Sequence, residues 1–142
     1  MDKTIEELFV KTFVEKRMQD RIIYELSTTD KKNRKNCELR DMVLHRFASA
    51  EDYIKAKNIL LANDKMTIDE AEKNIKQLLV STKNGYLIGT LYDGESMPLR
   101  KALEISFDYL GTSIIIANDN VAFIKTEQAF GSPMKFILHK KN

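Results

Sequence analysis

Few side chains in this 142-residue sequence are of the types that do chemistry near neutral pH. Cys37, His45 and His139 are its soft ligands, and they lie far apart, without CxxC or HxxxH spacing. Structural zinc is held by clustered sets of such residues, so neither a metal nor a cofactor is expected. Cys37 reads as a small, buried helix residue; the competing reading is a reactive thiol activated by Arg34 and Lys35. Asp41 precedes His45 by four residues, so on a helix its carboxylate can orient one imidazole nitrogen, as a general base requires. The plainer reading of that pair is a solvated surface contact. Glu6/Glu7 and Asp69/Glu70 fall in expected first helical turns, where carboxylates complement the helix dipole. Gly85, Gly89 and Gly94 fit neither GxGxxG nor a phosphate-binding loop. Gly89 instead suggests a bulge or a close backbone approach, and Asp93 a turn. No enzyme signature emerges.

Charge is more informative by position than in total. The chain holds 23 basic and 21 acidic residues, a net charge of +2, which by itself implies neither a nucleic-acid nor a membrane partner. Between positions 31 and 46, however, Lys31, Lys32, Arg34, Lys35, Arg40 and Arg46 are offset only by Glu38 and Asp41. Four of these cations crowd the start of an expected helix, where they oppose its dipole and an anionic partner would relieve them. Lys16, Arg17 and Arg21 extend the patch if the preceding helix folds back on this one in an antiparallel hairpin. Interleaved acids offer self-pairing, Arg21 with Glu25 and Arg34 with Glu38 among them. The candidate partner-binding residues are therefore Arg17, Arg21, Lys31, Lys32, Arg34, Lys35, Arg40 and His45.

The elements that must position these residues divide the chain in two. Residues 1–84 contain no glycine or proline, and all five glycines and both prolines follow. The first part therefore reads as helices and the second as strands with tight turns. Thr4–Glu7 has capping-box form, and Ile5, Leu8, Phe9 and Phe13 share a helical face. A second helix is expected from Glu15 to Leu26, and a third after Asp30 with Cys37, Leu39, Met42, Val43, Leu44 and Phe47 inward. A fourth starts near Ser49 and ends at Asn63–Asp64, with Tyr53, Ile54, Leu60 and Leu61 inward. The fifth follows a Thr67–Glu70 capping box. Beyond Gly85 the pattern predicts a strand to Tyr92, then a helix after Pro98 with Leu99, Ala102, Leu103, Phe107 and Leu110 inward. Strands follow at Thr112–Ala117, Val121–Glu127 and Lys135–His139, the last three forming an antiparallel meander. A Thr112–Ala117 strand covered on both faces needs the leading helices as its second cover. The expectation is one α+β domain over residues 1–142: about five N-terminal helices (1–84) on a four-stranded, mainly antiparallel sheet with one further helix, in the order β-α-β-β-β (85–142).

The runs Lys16-Arg17-Met18-Gln19-Asp20-Arg21-Ile22-Ile23-Tyr24-Glu25-Leu26, Leu44-His45-Arg46-Phe47, Gly85-Tyr86-Leu87-Ile88 and Leu99-Arg100-Lys101-Ala102-Leu103, with Lys31/Lys32, resemble a family of small uncharacterised bacterial proteins. The resemblance spans most of the chain and implies a cytosolic bacterial protein with no attached activity. An acidic start, no long apolar run and a single cysteine agree with a cytoplasmic, reducing setting and no membrane partner. The functional expectation is a non-enzymatic protein-interaction module, an immunity-type inhibitor or an adaptor. The alternatives are a nucleic-acid-binding regulator using the Lys31–Arg46 stretch and, last, a small enzyme using His45 with Asp41.

Overall fold

The computed structural model describes residues 2–27, 34–79, 84–127 and 132–141, with the side chains of 34–38 outside that description. Its α-helices are α1 (Lys3–Phe13), α2 (Gln19–Ser27), α3 (Arg34–Arg46), α4 (Ile68–Leu78) and α5 (Leu99–Asp108). The strands β1 (Ile59–Asn63), β2 (Asn84–Ile88), β3 (Ser96–Pro98), β4 (Ser113–Asn118), β5 (Val121–Lys125) and β6 (Lys135–His139) form one sheet in the order β1-β6-β5-β4-β2-β3. Every pairing is antiparallel. The fold is thus α+β, and β4, β5 and β6 form the expected meander. No described helix is long and apolar enough to cross a membrane.

Alternation along the strands sorts the core into two layers. Tyr86, Ile88, Ile114, Ile116, Ile124 and Leu138 pack under α1, α2 and α3, against Phe9, Phe13, Ile22, Val43 and Phe47. Their neighbours Leu87, Ile115, Phe123 and Ile137 pack on the other face, against Ala71 and Ile75 of α4 and Leu99 and Leu103 of α5. Because side chains alternate with a period of two, β4 is buried on both sides and needs both covers. The leading helices therefore roof one face, as expected, whereas α4 joins α5 on the other.

Further expectations change, among them the strand expected to reach Tyr92, which ends at Ile88. The fourth helix does not form: Ser49 takes a non-helical conformation (φ −112°, ψ 59°), and the backbone around Tyr53–Lys55 pairs with the end of α1. Glu15 N donates to Tyr53 O and Lys55 N to Phe13 O, each at 2.8 Å. The chain then runs through a short 3-10 turn into β1, so Leu60 and Leu61 lie on an exposed strand and not on an inward helical face. The sheet has six strands, not four, the additions being β1 and the three-residue β3. At the start of α1 the cap is Asp2, which accepts from Thr4 N and Ile5 N at 3.0 and 3.1 Å, in place of the Thr4 box. The Thr67 cap does form, its hydroxyl accepting from Glu70 N at 3.1 Å. Asp30, after which the third helix is expected, lies outside the described residues.

Candidate functional site at one end of the sheet

Arg40 is the residue whose placement departs furthest from its expected role. It lies on the inward stripe of α3, three and seven residues before the buried Val43 and Phe47, and is only 5% exposed. Its guanidinium uses all five donors. Nη1 donates to Glu6 Oε1 and to Leu26 O, both at 2.8 Å. Nη2 donates to Glu6 Oε2 at 3.0 Å and Asp93 Oδ1 at 2.8 Å, and Nε donates to Asp93 Oδ2 at 3.0 Å. Burial opposes the charge, but the bonds to Glu6 and Asp93 outweigh it and hold the guanidinium protonated. Tyr86 Oη donates to Glu6 Oε2 at 2.6 Å; burial and that carboxylate push its ionisation well up. Arg40 is therefore a fully used internal clamp joining α1, α2, α3 and the β2–β3 loop, and it is not free for a partner.

What the clamp holds is unusual. Between β2 and β3 the backbone takes positive φ at Gly89 (91°), Thr90 (66°) and Gly94 (84°). A β-branched residue in the left-handed region is strained by roughly 1–3 kcal/mol. Gly89 has no alternative, since a Cβ there would sit 2.9 Å from Thr112 O. Asp93 spans the loop, accepting from Gly89 N at 3.0 Å while both its oxygens are held by Arg40. At the tip of this tied loop Leu91 is 92% exposed, followed by the exposed Tyr92.

The α5–β4 connection is built alike. Register pairs Ile88 with Ile114, so this connection reaches the sheet beside the β2–β3 loop. It presents Tyr109 and Leu110, the latter 76% exposed and outside α5, not inward as expected. A second buried cation tethers it: Lys125 Nζ donates to Gly111 O at 2.9 Å. Burial, helped by the facing Lys135, lowers the Lys125 ammonium to about 8. Ser106 of α5 and Ser113 of β4, both buried, hydrogen-bond to each other and fix the far side. Two adjacent loops thus each display a leucine and a tyrosine, and each is held from below by a buried cation.

Beside them Asp41, Leu44, His45, Tyr109, Thr112 and Glu127 border an open cleft of about 240 Å³. His45 is 75% exposed, and its Nδ1 lies 3.9 Å from Glu127 Oε1. Asp41 borders the cleft without a hydrogen bond to the ring among the described residues, so the carboxylate nearest His45 is Glu127. Among the described residues no group of three or more His, Cys, Asp or Glu could hold a metal ion.

The remaining candidates do not converge here. Arg21 Nε donates to Glu25 Oε2 at 3.1 Å, the expected pair, and Arg46 donates to both oxygens of that fully buried carboxylate at 3.0 Å. Burial alone would raise the Glu25 carboxyl, but Arg46 and Arg21 hold it below its usual range. Arg17 donates to Asp52 O at 3.1 Å and lies over the Tyr53 ring. Arg34 and Lys35 are in α3 with side chains outside the description, as is that of Cys37, and Lys31 and Lys32 lie outside the described residues. Sequence reading missed Leu91, Leu110, Asp93 and Lys125. The available signal was Arg40's position on the inward stripe, which marks a cation in need of buried acids. Neither protein-family models nor curated proteins nor solved structures give a match to this chain, so function has to be read from its own residues.

Proposed function

We propose that this protein is a non-enzymatic protein-binding module, of the inhibitor or adaptor kind, whose binding face is the pair of tethered loops at residues 89–95 and 109–112. The carrying observation is the Arg40–Asp93 clamp beneath a strained loop that leaves Leu91 almost wholly in solvent. A buried, saturated ion cluster is a costly way to hold a loop that does nothing, and strain of this kind collects at ligand-contacting segments. Leu91, Tyr92, Tyr109 and Leu110 together supply apolar and aromatic area of the sort that anchors interfaces. Holding them rigid lowers the ordering cost of association.

The test is affinity purification from cells that make the protein, with wild type and Leu91→Glu/Leu110→Glu in parallel. Both changes are at exposed positions, so stability should move by no more than about 0.5 kcal/mol. A stoichiometric protein partner retained by wild type and lost by the variant supports the reading. The same partner on both, or none on either, overturns it. Acid–base chemistry at His45 is the second reading, favoured by the cleft and by Glu127 at 3.9 Å.

A further inference from the structure

The opposite end of the sheet holds a different surface. There Lys57, His139, Lys140 and Lys141, with Ile59 and Leu60, border an open cleft of about 340 Å³ that no acidic side chain among the described residues lines. None of these four basic side chains has an ion-pair partner among the described residues. The frame is firm: Lys140 N donates to Asn120 O at 2.9 Å, and the buried Asn58 donates to Thr12 O at 3.2 Å. The cleft is bordered by Ile59 and Leu60 at the start of β1, which pairs with β6 on one side, irregularly between Ile59 and Leu61, and among the described residues pairs with no strand on the other. Along that edge Leu60 and Leu61 are exposed, and no charged side chain interrupts residues 59–63. The far sheet edge, β3, is three residues long and ends in Pro98.

We infer that the free edge of β1 and the lysine-lined cleft form one docking site for an extended, acidic segment of a partner protein. The segment adds a strand to the sheet, and its carboxylates sit among Lys57, Lys140 and Lys141. Past the irregularity at Leu60, the edge supplies main-chain donors and acceptors over Leu61–Asn63, about 10 Å, which a peptide backbone matches in a ladder. The exposed leucines supply apolar contact, and the uncompensated lysines select negative charge. Nucleic acid fits less well, because no aromatic side chain among the described residues borders the cleft to stack a base. A second copy of this chain fits less well too, because its own β1 carries no acid between residues 59 and 63 to meet the lysines. This site lies at the other end of the sheet from the leucine loops and does not depend on them.

The experiment is an NMR titration of the isotope-labelled full chain with two synthetic peptides. Both alternate valine and threonine; one ends in a run of glutamates, the other in a run of lysines. The acidic peptide is expected to move the amide signals of Leu60–Asn63 together with those of Lys57 and Lys140, and to weaken as salt is raised. The lysine peptide should leave them unmoved. Lys57→Glu/Lys140→Glu/Lys141→Glu should keep the native amide pattern and bind the acidic peptide at least about tenfold more weakly, with Lys141→Glu alone giving a smaller loss. Equal binding of both peptides, shifts at the lysines without shifts in β1, tighter binding of a single-stranded oligonucleotide, or no binding at millimolar peptide would each overturn the inference. Loss of the loop-dependent partner leaves this result untouched.

Discussion

The two ends of the sheet use positive charge in opposite ways. At the end carrying the leucine loops, Arg40 and Lys125 are turned inward and used up, one on Glu6, Asp93 and a helix carbonyl, the other on the Gly111 carbonyl. At the other end Lys57, Lys140 and Lys141 stand in solvent around a cleft with no acid among the described residues of its wall. Charge density along the chain pointed to the region of α3, yet Arg40, Arg46 and Arg21 there are held by buried or half-buried carboxylates. What distinguishes these structural cations from those available to a partner is therefore a buried acceptor, a carboxylate for Arg40 and Arg46 and a backbone carbonyl for Lys125, and local sequence composition does not report it.

This contrast makes measurable demands. The largest effect should come from Arg40. Arg40→Leu strands Glu6 beside an apolar neighbour and should cost about 3–5 kcal/mol, read from denaturant unfolding. Arg40→Lys should recover little, because one ammonium cannot satisfy five acceptor contacts in fork geometry. A small loss for Arg40→Leu would mean that the clamp is dispensable and the contrast false.

The Thr90 strain comes next. Thr90→Gly should raise stability by about 1 kcal/mol, and a neutral or destabilising result would show that the positive φ there is not a stored cost.

Lys125 is read through pH. Its ammonium loses the proton from about pH 8 in the folded protein, whereas the unfolded chain keeps it to about 10.5. The unfolded state then binds more protons in that interval, so stability should climb as pH rises above 8. Tyr86 acts in the opposite sense: it stays protonated in the fold beyond its ordinary value of 10.0, which lowers stability once unfolded tyrosine ionises. The rise should therefore be confined to about pH 8–10, and Lys125→Met should flatten it in urea titrations. An unchanged slope in that variant would remove Lys125 as the source.

The smallest effect belongs to the exposed lysines. Lys57→Glu/Lys140→Glu/Lys141→Glu should change unfolding free energy by no more than about 0.5 kcal/mol per position. A large loss would show that they too are structural.

The helices α1, α2 and α3, the meander and the two-faced burial of β4 were legible because their signals are local: apolar periodicity, turn residues and the shift from period 3.6 to period 2. The stretch after Ser49 was misread because an edge strand open to solvent on most of its surface shows no alternation, and Tyr53, Ile54, Leu60 and Leu61 also suit a helical stripe. No glycine or proline marks the change. β3 is too short to register as a pattern. The site was less legible for a stronger reason: Arg40's partners stand 34 and 53 residues away, so their meeting is a product of tertiary packing. Arg21 with Glu25, one helical turn apart, was found at once.

A layer that can accept a neighbour along only one margin has a built-in stop. Chains with two receptive margins can polymerise, each newcomer offering a fresh place for the next. Here Pro98 and the immediate start of α5 shut the β3 margin, so whatever joins beside β1 completes the layer and ends growth. Finite complexes, not fibres, are the natural product of such a shape, even with leucines left bare on the open side.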